Sequence, residues 1–279
     1  MRKQFLSVLL ILNCAPLIPR ALAQDHGHLN IGAAGTNQND ELTFDNGRDF
    51  ASSADYVKTL DFAATGAYAG YFQGNITFTV LAATPVHLGP VPNAPALGSW
   101  MFAQLASVDG PSGGAFGFWD TGAIAPTISL TVGTAGTNVF RVSENDGSPG
   151  TDPYGHIHGR RFTATKPGIY TVGFRAFDFS ANGVDGGPIH TPSTMLKVHF
   201  QAGVHVRGIQ PDVNRTRVSF GARAGFVWQV EAADSLPAGT NWQSIGAPVL
   251  GDDYFRDVLD DHIVNGSRFY RVNGTPFVP

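Results

Sequence analysis

The chain has 279 residues, enough for one large or two modest domains. With 34 glycines, 18 prolines, 14% charged and 11% aromatic residues, its composition is that of a turn-rich all-β protein and excludes a disordered chain. A net charge of −4 at pH 7 gives no sign of a basic nucleic-acid surface, so no nucleic-acid partner is expected.

Residues 1–23 read as a secretory signal peptide. Arg2 and Lys3 form the charged end, Phe5 to Leu12 the apolar stretch, and Ala21-Leu22-Ala23 the cleavage site. The apolar stretch is too short to span a bilayer stably, and no transmembrane segment is expected in the mature chain. Export to the periplasm, the cell surface or the medium follows. Cys14, the one cysteine, lies inside the signal, and Asn13 before it is a poor fit to a lipoprotein cleavage box. A mature chain starting at Gln24 has no cysteine, which excludes zinc–thiolate sites and cysteine catalysis and leaves histidine and carboxylate as ligands. A free Gln24 amine with His26 in third position would also chelate Cu(II) or Ni(II) through four nitrogens in a square plane, unless Gln24 cyclises.

The mature chain opens Gln24-Asp25-His26-Gly27-His28-Leu29-Asn30-Ile31. In an extended chain His26, His28 and Asn30 share one face and Leu29 and Ile31 the other, which predicts either a strand docked in a sheet or a solvated arm. Ile76, Phe78 and Val80 alternate with Asn75, Thr77 and Thr79, the pattern of a half-buried strand. Four prolines between Thr84 and Gly98 predict a loop containing His87. Two strands joined by a glycine-rich turn are expected between Gly98 and Trp119. Short strands follow at Thr127–Val132 and Asn138–Val142, closed by a turn at Glu144-Asn145-Asp146-Gly147.

The central stretch is Tyr154-Gly155-His156-Ile157-His158-Gly159-Arg160-Arg161-Phe162, at the mouth of a strand that continues past Lys166-Pro167-Gly168. If extended, it points His156 and His158 to one face and Ile157 to the other, so that both imidazoles can meet one ion. Tyr170 to Ala176 and Met195 to Val206 read as further strands, with Lys197, His199 and Gln201 on an exposed face. Gly208 to Arg215 reads as a linker. Beyond it, Val218–Phe220, Phe226–Glu231 and Arg268–Val272 are the makings of a small β-sandwich. Its loop carries a buried Trp242, and His262 sits in a solvated loop. The expected organisation is therefore a histidine-rich β-sandwich metal-binding domain over 24–206, followed by a smaller β-sandwich over 207–279.

The run from Gly155 to Phe174 resembles the core motif of secreted proteins repressed by the zinc regulator Zur, best known in cyanobacteria and often carrying a PEP-CTERM sorting tail. It is also similar to surface-anchored actinobacterial domains with a His-x-His before a Pro-Gly-x-Tyr strand. Gly187-Pro188-Ile189-His190-Thr191 and Gly27-His28 look similar to the same family, and the likeness spans roughly Asp25 to Gly203. The last 70 or so residues resemble a small module found at the C-termini of large secreted bacterial proteins. The resemblance implies an exported zinc-binding protein serving zinc acquisition, storage or delivery, with His28, His156, His158 and His190 as metal positions and a transporter or cell-surface partner for the ion.

Two other readings remain. Gly150 followed by His156-x-His158 fits the start of a cupin motif, but Arg160, Arg161, Phe162 and Thr163 occupy the region where that motif needs a glutamate. A three-histidine catalytic zinc with an open water position is compatible with the residues, although none of them marks a substrate or a general base. A structural surface or adhesion module is the third reading.

Overall fold

The computed structural model describes residues 27–87, 90–212, 214–236, 240–262 and 267–278. The expected signal segment, the Cu(II) or Ni(II) position and His26 lie outside them. The protein is all-β and sandwich-like, with 49% of residues in strands and 5% in helices. No helix among the described residues is long and apolar enough to cross a membrane.

Numbered in chain order, β1 (His28–Ala33), β2 (Leu42–Phe44), β5 (Thr77–Val80) and β11 (Gly155–His156) form a four-stranded sheet in the order β11-β5-β1-β2. β1 is parallel to β5, and the other pairs are antiparallel. A larger sheet contains β3 (Val57–Phe62), β4 (Phe72–Gly74), β6 (Met101–Asp109), β7 (Ala115–Trp119), β8 (Ile128–Thr131), β9 (Thr134–Ala135), β10 (Val139–Arg141), β12 (Arg161–Ala164), β13 (Gly168–Asp178) and β14 (Leu196–Ala202). Its order is β10-β6-β13-β14-β3-β4-β12-β7-β8. β9, two residues beyond β8, pairs back to β6, so the sheet curls toward closure.

The alternation of apolar residues explains the packing. Leu29 and Ile31 of β1, and Ile76, Phe78 and Val80 in and before β5, are fully buried. Phe78 carries the small sheet into the large one. Its ring lies 5.3 Å from Phe140, 5.9 Å from Phe162 and 5.2 Å from Phe174. Phe162 is the hub of this aromatic core, with Phe116, Phe118 and Phe200 rings 5.5–5.8 Å away. Edge-to-face and offset rings at such spacings add to the burial term.

A second, smaller core forms around Val218, Phe220, Trp228, Val230 and Val258. One sheet joins β15 (Val206–Asp212), β16 (Arg215–Ala222) and β19 (Tyr254–Asp260). The other joins β18 (Gln243–Leu250), β17 (Phe226–Ala233) and β20 (Phe269–Pro276). The stretch expected to be a linker is thus a β-hairpin, with Ile209 paired to Val218 and Asp212 to Arg215. The expected strand from Met195 to Val206 breaks at Gly203, whose φ of +79° suits glycine. The buried tryptophan of this part is Trp228, while Trp242 is half-buried beneath the Arg271 guanidinium. β18 and β19 were not expected, because β18 is largely exposed and shows no clean two-residue alternation.

The two cores are joined by more than the chain. Tyr56 and Tyr254 form an antiparallel bridge, flanked by bonds from Val57 N to Asp253 O at 2.8 Å and Phe255 N to Asp55 O at 2.9 Å. This docking covers the outer face of β14. His199, expected to be exposed, is half-buried with its ring 5.6 Å from Phe255, and Gln201 is fully buried.

Candidate metal centre

The central stretch does not continue one strand. Gly155 and His156 close the small sheet, and Arg161 enters the large sheet in β12. The chain turns between them. His158 N donates to His156 O at 3.1 Å, a one-residue turn, and Gly159 follows with φ +70°. Ile157 points inward and is 2% exposed. Gly155 is required on the other side, because a Cβ there would overlap the Val142 carbonyl oxygen.

The approach to β11 is fixed by Asp152, whose carboxylate accepts from the Ala83, Thr84 and Tyr154 amides and the Thr84 hydroxyl. Burial acts to raise its pKa, but these hydrogen bonds prevail and hold it below the usual carboxylate range. The expected extended pair is therefore a strand end plus a turn.

The turn still gathers the rings. Those of His156 and His158 are 3.8 Å apart, and His28 lies 4.8 Å from His156 and 6.4 Å from His158. Sheet register explains this. In the parallel pair His28 lies opposite Thr77, and in the antiparallel pair His156 lies opposite Thr79, two residues on and so on the same face. Asn46 locks the start of β1, donating to His28 O at 2.8 Å and accepting from Asn30 N at 2.8 Å. His28 and His156 are half-buried and His158 is exposed.

A Zn–N bond of about 2.0–2.1 Å, plus roughly 1.2 Å from nitrogen to ring centre, places tetrahedrally arranged imidazole centres about 5.2 Å apart. The observed spacings straddle that value. Among the described residues, no group of three or more His, Cys, Asp or Glu side chains is already arranged to hold a metal ion. Imidazole is a zinc ligand type, but the 3.8 Å and 6.4 Å spacings depart from that value of about 5.2 Å, and the rings would have to turn to meet one ion. The exposed His158 ring has solvent in which to do so.

Thr79 is a site residue that the motif did not reveal. Its hydroxyl lies 3.3 Å from His28 Nδ1, on the polar side of β5. A bond from Nδ1–H to that oxygen would leave Nε2 as the metal-facing nitrogen. The sequence signal was the Asn75, Thr77, Thr79 alternation, which marks the polar face without marking the histidine it meets.

His190 is placed elsewhere. It is 1% exposed, its Nε2 accepts from Ala96 N at 2.9 Å, and its Nδ1 lies 3.0 Å from Asp40 O. Its own amide donates to the Asp178 carboxylate, which also accepts from Trp100, Ser180 and Ile189 amides. Both ring nitrogens are committed to the backbone, so the expected fourth imidazole is a structural tie between loops. It sits by the Ala33 end of β1, where Leu42 N bonds to Thr191 O, and five residues of strand put His28 roughly 17 Å away.

No protein-family model, curated protein or solved structure matches the chain.

Proposed function

We propose that this is an exported, non-enzymatic zinc-binding protein whose ion is held by His28, His156 and His158, serving zinc acquisition, storage or delivery outside the cytoplasmic membrane. The observation that carries this reading is the gathering of three imidazoles from positions 28, 156 and 158 at one corner of the small sheet. Neutral imidazole is a favoured zinc ligand, and three of them leave one coordination position for water, a fourth side chain or a recipient's ligand. That open position suits an ion that is handed on. The signal-like segment at 1–23 and the likeness of the central stretch to secreted zinc-starvation proteins support the extracytoplasmic setting.

The test is elemental analysis and a zinc-binding isotherm on protein purified without chelator, compared with the His156→Ala/His158→Ala variant. One zinc per chain in the parent and loss of that zinc in the variant is the expected result. Equal stoichiometry and affinity in the two proteins would refute the assignment.

A further inference from the structure

The junction between the two cores buries polar groups without pairing them. Thr59 of β3 and Gln201 of β14 are cross-strand neighbours. Their side chains alternate with Leu60, Phe200 and Ala202, which point into the larger core, and so stand on the outer face of its sheet. There the smaller core covers them. Gly221 of β16 lies so close that a Cβ on it would overlap the Gln201 amide. Gln201 is fully buried and Thr59 nearly so. Neither atom of the Gln201 amide, nor the Thr59 hydroxyl, has a hydrogen-bond partner among the described residues. Water would satisfy all three, so docking costs their hydration without replacing it.

The ion pairs that hold the junction lie at its rim. Arg207 meets Asp55 at 2.9 Å and Arg223 meets Asp61 at 2.7 Å, with the two carboxylate side chains 59% and 51% exposed. Solvent and salt screen such pairs, and each is worth little. The Tyr56–Tyr254 bridge adds its two backbone bonds, and the Tyr254 hydroxyl donates to Asp49 O over 3.3 Å. Each core closes an apolar cluster of its own, with the Tyr254 ring reaching across to the larger. The covalent link from β14 to β15 is residues 203–205. A largely polar junction between two self-contained cores is where relative motion is expected.

We propose that the smaller core undocks reversibly from the larger about residues 203–205, in an opening that leaves both apolar clusters closed. The open form hydrates Thr59 and Gln201 and presents them, with His199, as a polar face on β3 and β14. This inference is independent of the zinc reading.

The test uses the full chain in a Cys14→Ser background, which removes the one native thiol. Thr59→Cys places a thiol beneath the smaller core, and Val198→Cys places one inside the larger cluster, where only unfolding of that core exposes it. Labelling by a thiol reagent is followed under native conditions, and denaturation of each variant sets the rate expected from global unfolding alone. The expected result is that Thr59→Cys labels about tenfold or more faster than that rate while Val198→Cys matches it. Gln201→Met, which removes the unpartnered amide at similar length, should slow Thr59→Cys labelling about tenfold by favouring the docked form. A second measurement needs no substitution. In the parent protein the Val57 and Phe255 amides, which bridge the cores, should exchange hydrogen faster than the amides paired between β13 and β14. Labelling of Thr59→Cys at the global-unfolding rate, a rate that Gln201→Met leaves unchanged, or equal protection of the two sets of amides overturns the proposal.

Discussion

The corner around His156 and the loop junction around His190 use the same side chain in opposite ways. At the corner, three rings stand within 3.8–6.4 Å of one another, half-buried or exposed. At the junction, one ring is sealed in the interior with a backbone group at each nitrogen. The contrast teaches that a histidine near a motif stops being a ligand candidate where the fold commits both its ring nitrogens to buried backbone groups. Burial argues against ligation where the buried ring is already the hydrogen-bond partner of amides and carbonyls that would otherwise be unsatisfied.

The most severe test of this contrast is to exchange the expected losses. His156→Ala/His158→Ala should remove stoichiometric zinc binding while the metal-free protein keeps its cooperative unfolding transition. His190→Ala should leave zinc stoichiometry unchanged but destabilise the fold by about 2–4 kcal/mol, because the Ala96 amide and the Asp40 carbonyl each lose a buried partner. Chemical denaturation of metal-free protein measures the second quantity. A His190→Ala protein of parental stability that had lost its zinc would reverse the two assignments.

A smaller effect sharpens the corner. Thr79→Val keeps the shape and removes the hydroxyl beside His28 Nδ1. Zinc affinity should fall about tenfold, the lower end for losing a group that orients a ligand, with stoichiometry unchanged. Competition with a chromophoric chelator reads this, and an unchanged constant would mean that Thr79 does not set the ring.

The smallest effect concerns His199, which belongs to neither class. Burial, and then the Arg207 guanidinium, lower its pKa, while Asp55 pulls the other way. A depressed histidine is neutral in the folded chain where the unfolded chain already takes up a proton. Its stability contribution is therefore full above about pH 6.5 and is lost as pH falls toward the folded value. Metal-free protein should unfold more easily at pH 5.5 than at pH 7.5, and His199→Gln should flatten part of that slope. An identical slope in the variant would place the pH dependence elsewhere.

Much of this molecule was legible in the residues alone. Turn-rich composition and two-residue alternation determined an all-β chain, and Ile76, Phe78 and Val80 lie buried as their spacing requires. The buried Leu29 and Ile31 follow from the same periodicity, a local property of any extended backbone. The tertiary structure decided the rest. Gly155 and Gly159 mark a crossing between sheets, which no alternation can register because the chain there is turning. The meeting of His28 with His156 depends on a parallel pairing of β1 with β5 and an antiparallel pairing of β11 with the same strand, contacts between residues far apart in sequence. His190 stood in a looser likeness than His156, and its ring is held by Ala96 and Asp40, whose approach only the packed loops determine. His199 alternates onto an outer face as expected, but that face is covered because a second core docks against it. Periodicity states which side a residue occupies, while what stands opposite that side is a property of the whole fold.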